Sequence, residues 1–309
     1  MQFNKPPLSV EEQVQRMVLR GLDVPNPELA EHHLKHIGYY RFSAYALPFQ
    51  QLDAAPINGL DKPFVAGTRF DDILSVYNFD RNLRIHILDA IERVEVSFRT
   101  SLVYHISHAH GSHWYLDPSL FKSGFDHARF VQKVSNEFRT KTDTNGNRYR
   151  HGETFIQHYF QKYTTPDLPP SWMISEILTL GTWSLIFKNL KDRQLKKTIA
   201  RDFGVDERIL DKWIHTISSL RNLCAHHCRV WNRKFVMKPV IANKHSAILD
   251  SNDYLYAQLV VLFDLFNQIN PGSNWSSELQ ALIESCPHIS LSAMSFPEQW
   301  WEEPFWSIV

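Results

Sequence analysis

Arg221, Asn222 and His226 fall within about a turn and a half of helix in the stretch SSLRNLCAHHCRVWNR. These residue types are what metal-independent RNA cleavage requires. The ribose 2′-OH must lose a proton and the 5′-oxygen leaving group must gain one; an imidazole can do either near neutral pH. The phosphate gains negative charge on the way, and a guanidinium meets it with a fixed fork of donors. Asn222, one turn before His226, can orient the imidazole or contact the phosphate. One helix carries one such set, so two copies facing across a two-fold axis would clamp a single strand, which points to a homodimer. An Arg and a His at this spacing also occur by chance on ordinary solvated faces, and spacing alone leaves that alternative open. A metal site is the other alternative, because Cys224, His226, His227 and Cys228 crowd one stretch. Zinc fingers space their ligand pairs differently and need a second pair. The two cysteines also fit an apolar face as small hydrophobes.

The helix expected to position this set runs from Asp206 to about Trp231. Trp213, Ile217, Leu220, Cys224 and Trp231 recur by steps of three and four as an apolar stripe. Ser218, Asn222, His226, Arg229 and Arg233 form a second stripe about 200° away. His226 is therefore expected on a polar face, not in the core. His227 also satisfies a loose Arg-to-His spacing, but helical phase favours His226, which shares a face with Asn222. Around this helix the chain is basic: Lys188 to Lys234 holds 12 Lys/Arg against 5 Asp/Glu, a local net of +7. Lys188, Lys191, Arg193, Lys196, Lys197, Arg229 and Arg233 are the candidate RNA-binding residues. Residues 271–309 carry 5 acidic and no Lys or Arg residues. An acidic, Trp-rich tail folded over the basic surface would equally account for the cluster.

The remaining pattern is helical. Ser9-Val-Glu-Glu12 is a capping box opening a helix that Gly21 should close. Residues 28–47 read as one aromatic-rich helix, whole or broken, and 51–69 as a loop or a short extended segment. From Asp71 to about His108 apolar residues keep helical spacing, opposite a charged stripe of Arg81, Arg84, Glu92, Arg93, Glu95 and Arg99. A break is expected somewhere in so long a span. Residues 114–138 should be helical with interruptions, 142–147 a polar loop, and 155–163 a short helix. Ser171 is expected to cap a helix to about Leu180, with Gly181-Thr182 as an interruption. A basic helix should cover 191–203, and 254–269 should form an apolar central helix.

Composition sets outer limits. The 309 residues balance 33 Lys+Arg against 33 Asp+Glu, which excludes a uniformly basic nucleic-acid coat and an acidic disordered tail protein. Eleven glycines are few for phosphate-cradling loops or turn-rich β architectures. Three cysteines make no disulfide framework and point to a reducing, cytoplasmic setting. No apolar leader opens the chain, and no apolar stretch is long enough to span a bilayer, so no membrane partner is expected. No cofactor is called for.

Five ordered blocks then resemble a known family. KPPLSVEEQVQRMVLRGL with AEHHLKHIGYYRFSAYALPF, FDRNLRIHILDAIERVEVSFR, LPPSWMISEILTLGTWSLIFKNL, SSLRNLCAHHCRVWNR and FPEQWWEEPFW are similar to the Abi-like abortive-infection proteins, the AbiD and AbiF group. The resemblance implies membership of the HEPN superfamily, all-α domains that include many metal-independent ribonucleases. Its motif, an Arg and a His separated by four to six residues, usually with a polar residue directly after the Arg, maps onto Arg221, Asn222 and His226. It further implies phage defence, often toxin-like, and in some members a regulatory non-coding RNA. The fold expected is an all-α, HEPN-like helical bundle spanning 1–309 as a single domain. It would comprise an N-terminal helical extension over 1–60, a core over 70–270 and the Trp-rich tail over 271–309. A weaker echo, Arg81 to His86, also fits Arg-four-His. The family hallmark does not require that His, so Arg81 is expected to be structural, with Glu92 and Arg93 making polar contacts to the Arg221 helix. A non-catalytic RNA-binding or small-RNA-regulated protein, and an interaction module docking a partner through its Trp-rich tail, are the competing functions.

Overall fold

The computed structural model describes residue 2 and residues 6–138, 141–142, 148–149 and 152–307. The chain is all-α. The named strands among the described residues are two short ones, β1 (Lys141–Thr142) and β2 (Arg148–Tyr149), paired antiparallel. The polar loop expected between them, residues 143–147, lies outside the described residues. Two compact units divide the chain: Met1–Ile85 with Ser277–Leu291, and His86–Ser276 with Ser292–Val309.

In the first unit, α1 (Val10–Leu19) opens on the expected capping box. The Ser9 N–H donates to the Glu12 carboxylate at 2.6 Å and the Glu12 N–H to Ser9 Oγ at 3.1 Å. The helix closes through Gly21 at φ +89°. Asn26 caps α2 (Pro27–Ile37), whose first residue is Pro27. Gly38, at φ +83°, then breaks the aromatic stretch, and α3 (Tyr39–Ala46) follows. α4 (Phe70–His110) is one helix of 41 residues, about 60 Å long, whose residues up to Ile85 belong to this unit. The expected break is absent because the span holds no Pro or Gly and its apolar residues never leave phase. The Tyr45 hydroxyl donates to Asp80 Oδ2 at 2.7 Å, and Arg84 pairs with the same buried carboxylate, tying α3 to α4. Burial, helped by the Asp80 charge, pushes the Tyr45 hydroxyl above its ordinary pKa.

The second unit continues α4 from His86 and adds α5 (His127–Glu137), α6 (Thr154–Lys162), α7 (Ser171–Ile174), α8 (Leu180–Asn189), α9 (Arg193–Arg201), α10 (Glu207–Ala225) and α11 (Leu255–Ile269). α12 (Trp275–Glu284) begins here and passes to the first unit at Ser277. The helix expected from Ser171 to Leu180 is a single turn, α7. Ser171 is not its cap; its buried hydroxyl meets that of Ser107 at 2.9 Å. Thr179 caps α8, so Gly181 and Thr182 lie inside its first turn instead of interrupting it. Gly181 has a packing role: a Cβ there would stand 3.2 Å from Ser218 Oγ on α10. α10 packs against α8, α9 and α11. α11 is buried from Leu255 to Phe263, and the aromatic tail closes on it. The Trp306 ring lies 4.9 Å from Phe263, its indole N–H donates to the Tyr256 hydroxyl at 3.1 Å, and Trp300 packs edge-on to Trp306. The tail's Trp300 and Trp306 are thus core residues, while Trp301 and Phe305 are half-buried. No helix among the described residues is long and apolar enough to cross a membrane.

Candidate functional site

α10 is set at its start by Asp206, whose carboxylate accepts the Arg208 N–H at 2.9 Å. Glu207 beside it is buried and bonded by Arg193 Nε at 2.6 Å. That bond holds the Glu207 carboxyl down to about 2. Leu210, Trp213, Ile214, Ile217, Leu220 and Cys224 form the buried face. Ser218, expected on the polar stripe, is buried under Gly181.

The helix stops at Ala225, six residues short of the expected end. The His226 N–H donates to Asn222 O at 2.9 Å, the His227 N–H to Cys224 O at 3.0 Å and the Cys228 N–H to Leu223 O at 2.9 Å. With His227 at φ +57°, this is a Schellman closure. The chain turns there and buries Val230 and Trp231. Arg229 and Arg233 consequently leave the helix face on which an unbroken helix would have put them.

The closure leaves Asn222, His226 and His227 exposed. Arg221 is partly covered: 40% of its side chain is open, and its Nε lies 3.8 Å from Glu95 Oε2. Glu95 is buried on α4, where it also pairs with Arg99 one turn on; Arg99 in turn donates to Ser175 O at 3.1 Å. Burial lowers the Arg99 pKa from its ordinary value; Glu176 opposes the shift and the nearby Arg221 charge adds to it. A buried acid therefore orients the guanidinium of Arg221 on the last turn of α10, while the imidazole of His226 stands in solvent at the cap.

The contact from α4 to Arg221 comes from Glu95 and not from the neighbours expected. Glu92 is exposed; Arg93 is exposed, 3.8 Å from Asp89, with its guanidinium over Phe266. Arg81 is exposed and bonds Asn82 Oδ1 at 3.2 Å. His86 stacks on Trp275 at 4.4 Å, and its Nε2 lies 3.0 Å from the Trp275 carbonyl while the indole N–H donates to the His86 carbonyl. That imidazole is engaged in packing.

The basic residues differ in burial. Lys188, Lys191 and Arg193 are exposed and Lys197 is half-buried. Lys196 is buried, with its ammonium 4.7 Å over the Phe187 ring, and burial lowers its pKa. Lys122, Lys191, Arg193, Lys196, Arg208 and Lys212 line a pocket of about 510 Å³ with Glu207 and Asp211. Arg229 and Arg233 are half-buried, with Arg229 over Trp231. Arg193 finds its counter-charge at Glu207, Lys234 and Lys238 at Asp253, and Lys244 at Asp264, none of which lies in 271–309. Cys224, Cys228 and Cys286 form no disulfide; Cys224 and Cys286 are buried and Cys228 is half-buried. Among the described residues no three His, Cys, Asp or Glu side chains converge as metal ligands would.

Comparison with known proteins adds one match. The family model described as Abi-like protein covers residues 32–232, from α2 through the closure of α10 and more than half of the chain. No curated protein and no solved structure matches.

Proposed function

The chain belongs to the Abi-like protein family, and on that premise we propose that it is an abortive-infection effector acting as a metal-independent endoribonuclease of the HEPN kind. The family description ties it to abortive infection, a defence against phage. What supports the chemistry is one arrangement: Arg221, held by the buried Glu95, shares the exposed end of α10 with Asn222 and His226. In this reading His226 takes the 2′-OH proton. The freed oxygen attacks the adjacent phosphorus, and the 5′-oxygen leaves with a proton from the His226 of a second copy. Arg221 donates to the phosphate oxygens as their charge grows, and Asn222 steadies the imidazole or the phosphate. The products are a 2′,3′-cyclic phosphate and a 5′-hydroxyl. One chain supplies one set, so the working unit is a homodimer that grips single-stranded RNA, and a non-coding RNA is a fitting regulator.

The test is cleavage of single-stranded RNA in EDTA by the wild type, His226→Ala and Arg221→Lys. The Lys variant keeps the charge but loses the guanidinium fork. Cleavage that survives chelation and disappears in His226→Ala supports the proposal. Full activity in His226→Ala, or activity abolished by EDTA, overturns it. RNA that binds without being cut under any trigger would assign the same residues to a non-catalytic RNA-binding effector.

A further inference from the structure

A second pocket, of about 750 Å³, lies between α5, the segment 124–126 and α8. Arg221, Asn222 and His226 are not among its lining residues. Its apolar wall is Phe125, Phe130 and Leu185. Phe130 is buried, Phe125 is half-buried and stacked on Phe121 at 5.0 Å, and Leu185 is exposed. Around this wall stand the polar groups of Gln132, Asn136, Thr182 and Asn189 and the cations Arg129, Lys133 and Lys188. The one acid in the lining, Asp126, already caps α5 by accepting the Arg129 N–H at 2.9 Å. The Lys133 ammonium reaches across to Thr182 Oγ1 at 3.1 Å.

An aromatic wall, amide and hydroxyl groups at its edge and a surplus of cations suit a ligand with a flat face, a polar rim and negative charge. That is the description of a nucleotide, and the volume lies within the usual range for small-ligand sites. A further, basic pocket is lined by residues that follow directly in the chain. Lys188 and Asn189 line this one; the next two residues, Leu190 and Lys191, line the 510 Å³ pocket of Lys122, Arg208 and Lys212. The Lys122 ammonium of the basic pocket donates to the carbonyl of Lys188, which lines the first, at 2.6 Å. A lone nucleotide needs only the first pocket. A strand uses both, with its base against the aromatic wall and its next phosphates among the lysines.

We propose that the Phe125–Leu185 pocket receives an unstacked base of single-stranded RNA whose backbone continues over Lys122, Lys191 and Arg208. This rests on the RNA reading above and says where the strand is held, by residues other than those that would cut it. Fluorescence anisotropy on the full chain tests it, in the His226→Ala background so that RNA stays intact. The probes are a short labelled single-stranded RNA, an abasic strand with the same number of phosphates, and AMP as competitor. Phe125→Ala should weaken the base-bearing RNA about tenfold and leave the abasic strand unchanged. Leu185→Gln, a surface change that spares the Phe121 stack, should shift binding in the same direction. Lys191→Glu should weaken both strands. If wild type binds both strands equally, or if neither pocket variant changes RNA affinity while Lys191→Glu lowers it, the pocket assignment falls and the RNA reading stands. Wild type that binds no RNA overturns both. AMP binding as tight as the strand, and indifferent to Lys191→Glu, would replace the strand with a free nucleotide.

Discussion

α1 and α10 end with the same hydrogen-bond pattern but a different residue at the turn. In α1 the Gly21 N–H donates to Val18 O at 2.8 Å and the Leu22 N–H to Met17 O at 3.1 Å. In α10 the same two positions are His227 and Cys228. A Schellman closure puts its turning residue in the left-handed region. Gly21 adopts φ +89° with no Cβ to object. His227 at φ +57° carries a Cβ against the following carbonyl, at a cost of roughly 1–2 kcal/mol. Histidine is among the side chains that tolerate this region best, which keeps the cost affordable. The residues after the turn differ as well. Leu22 is buried, as is Met17, whose carbonyl accepts its N–H, whereas Cys228 is only half-buried. The α1 end is built to stop a helix. The α10 end accepts strain and sets two imidazoles in solvent beside Arg221 and Asn222. Strain of this kind gathers at functional sites, and the comparison locates it at the cap that carries His226.

The largest effect should come from the imidazole itself. On the proposed ribonuclease reading, His226→Ala should cut RNA cleavage by about 10²–10⁴-fold and barely move the unfolding midpoint, because the ring is exposed. His227→Ala should keep most activity. Equal losses in the two variants would remove the distinction between cap and turn residue. Next is the other end of α10. Arg193 holds Glu207 at about 2, below its ordinary 4.5. A depressed carboxyl lends stability that is complete above its unfolded pKa and is lost as pH falls through the folded one. Acid titration should therefore weaken the wild type between about pH 4.5 and 2, and Glu207→Gln should flatten that limb. An unchanged acid limb would mean the ordered start of α10 does not depend on this pair.

The contrast also separates what sequence pattern can and cannot reveal. The Ser9/Glu12 box, the Asp206 start of α10, the buried α11 and the exposure of His226 were all legible, because each follows from a local rule of capping or periodicity. The end of α10 was not, since the rule for a closure looks for Gly and none stands between Ala225 and Asn232. Glu95 sat in plain view on the charged stripe of α4, but its partner Arg221 is distant in sequence, and periodicity cannot choose Glu95 over Glu92. Lys196 belonged to a basic run, yet its ammonium turns inward over Phe187, a tertiary choice that composition does not encode. The place of Trp300 and Trp306 in the core was hidden for the same reason: aromatics that complete a core and aromatics that seek a partner look alike in one dimension.

Exchanging the turning residues tests the comparison most directly, with smaller effects. Gly21→Ala should destabilise by about 1 kcal/mol. Nothing lies within 4 Å of the added Cβ, so conformation alone sets that cost. A midpoint left unchanged in thermal unfolding would show that the left-handed turn is not what closes α1. His227→Gly should do the reverse and by less. It relieves the Cβ strain but gives the unfolded chain more freedom, and glycine's entropic cost of about 0.5–1 kcal/mol offsets much of the gain. That difference leaves at most about 0.5 kcal/mol of stabilisation, from which the interactions of the His227 side chain are subtracted. Cleavage should persist, because the closure and the place of His226 are kept. If His227→Gly is instead destabilising, the side chain of His227 makes contacts worth more than the strain it brings. If the variant is stabilised but cleavage falls, the strained turn holds His226 in its working position, and glycine stops the helix without serving the site.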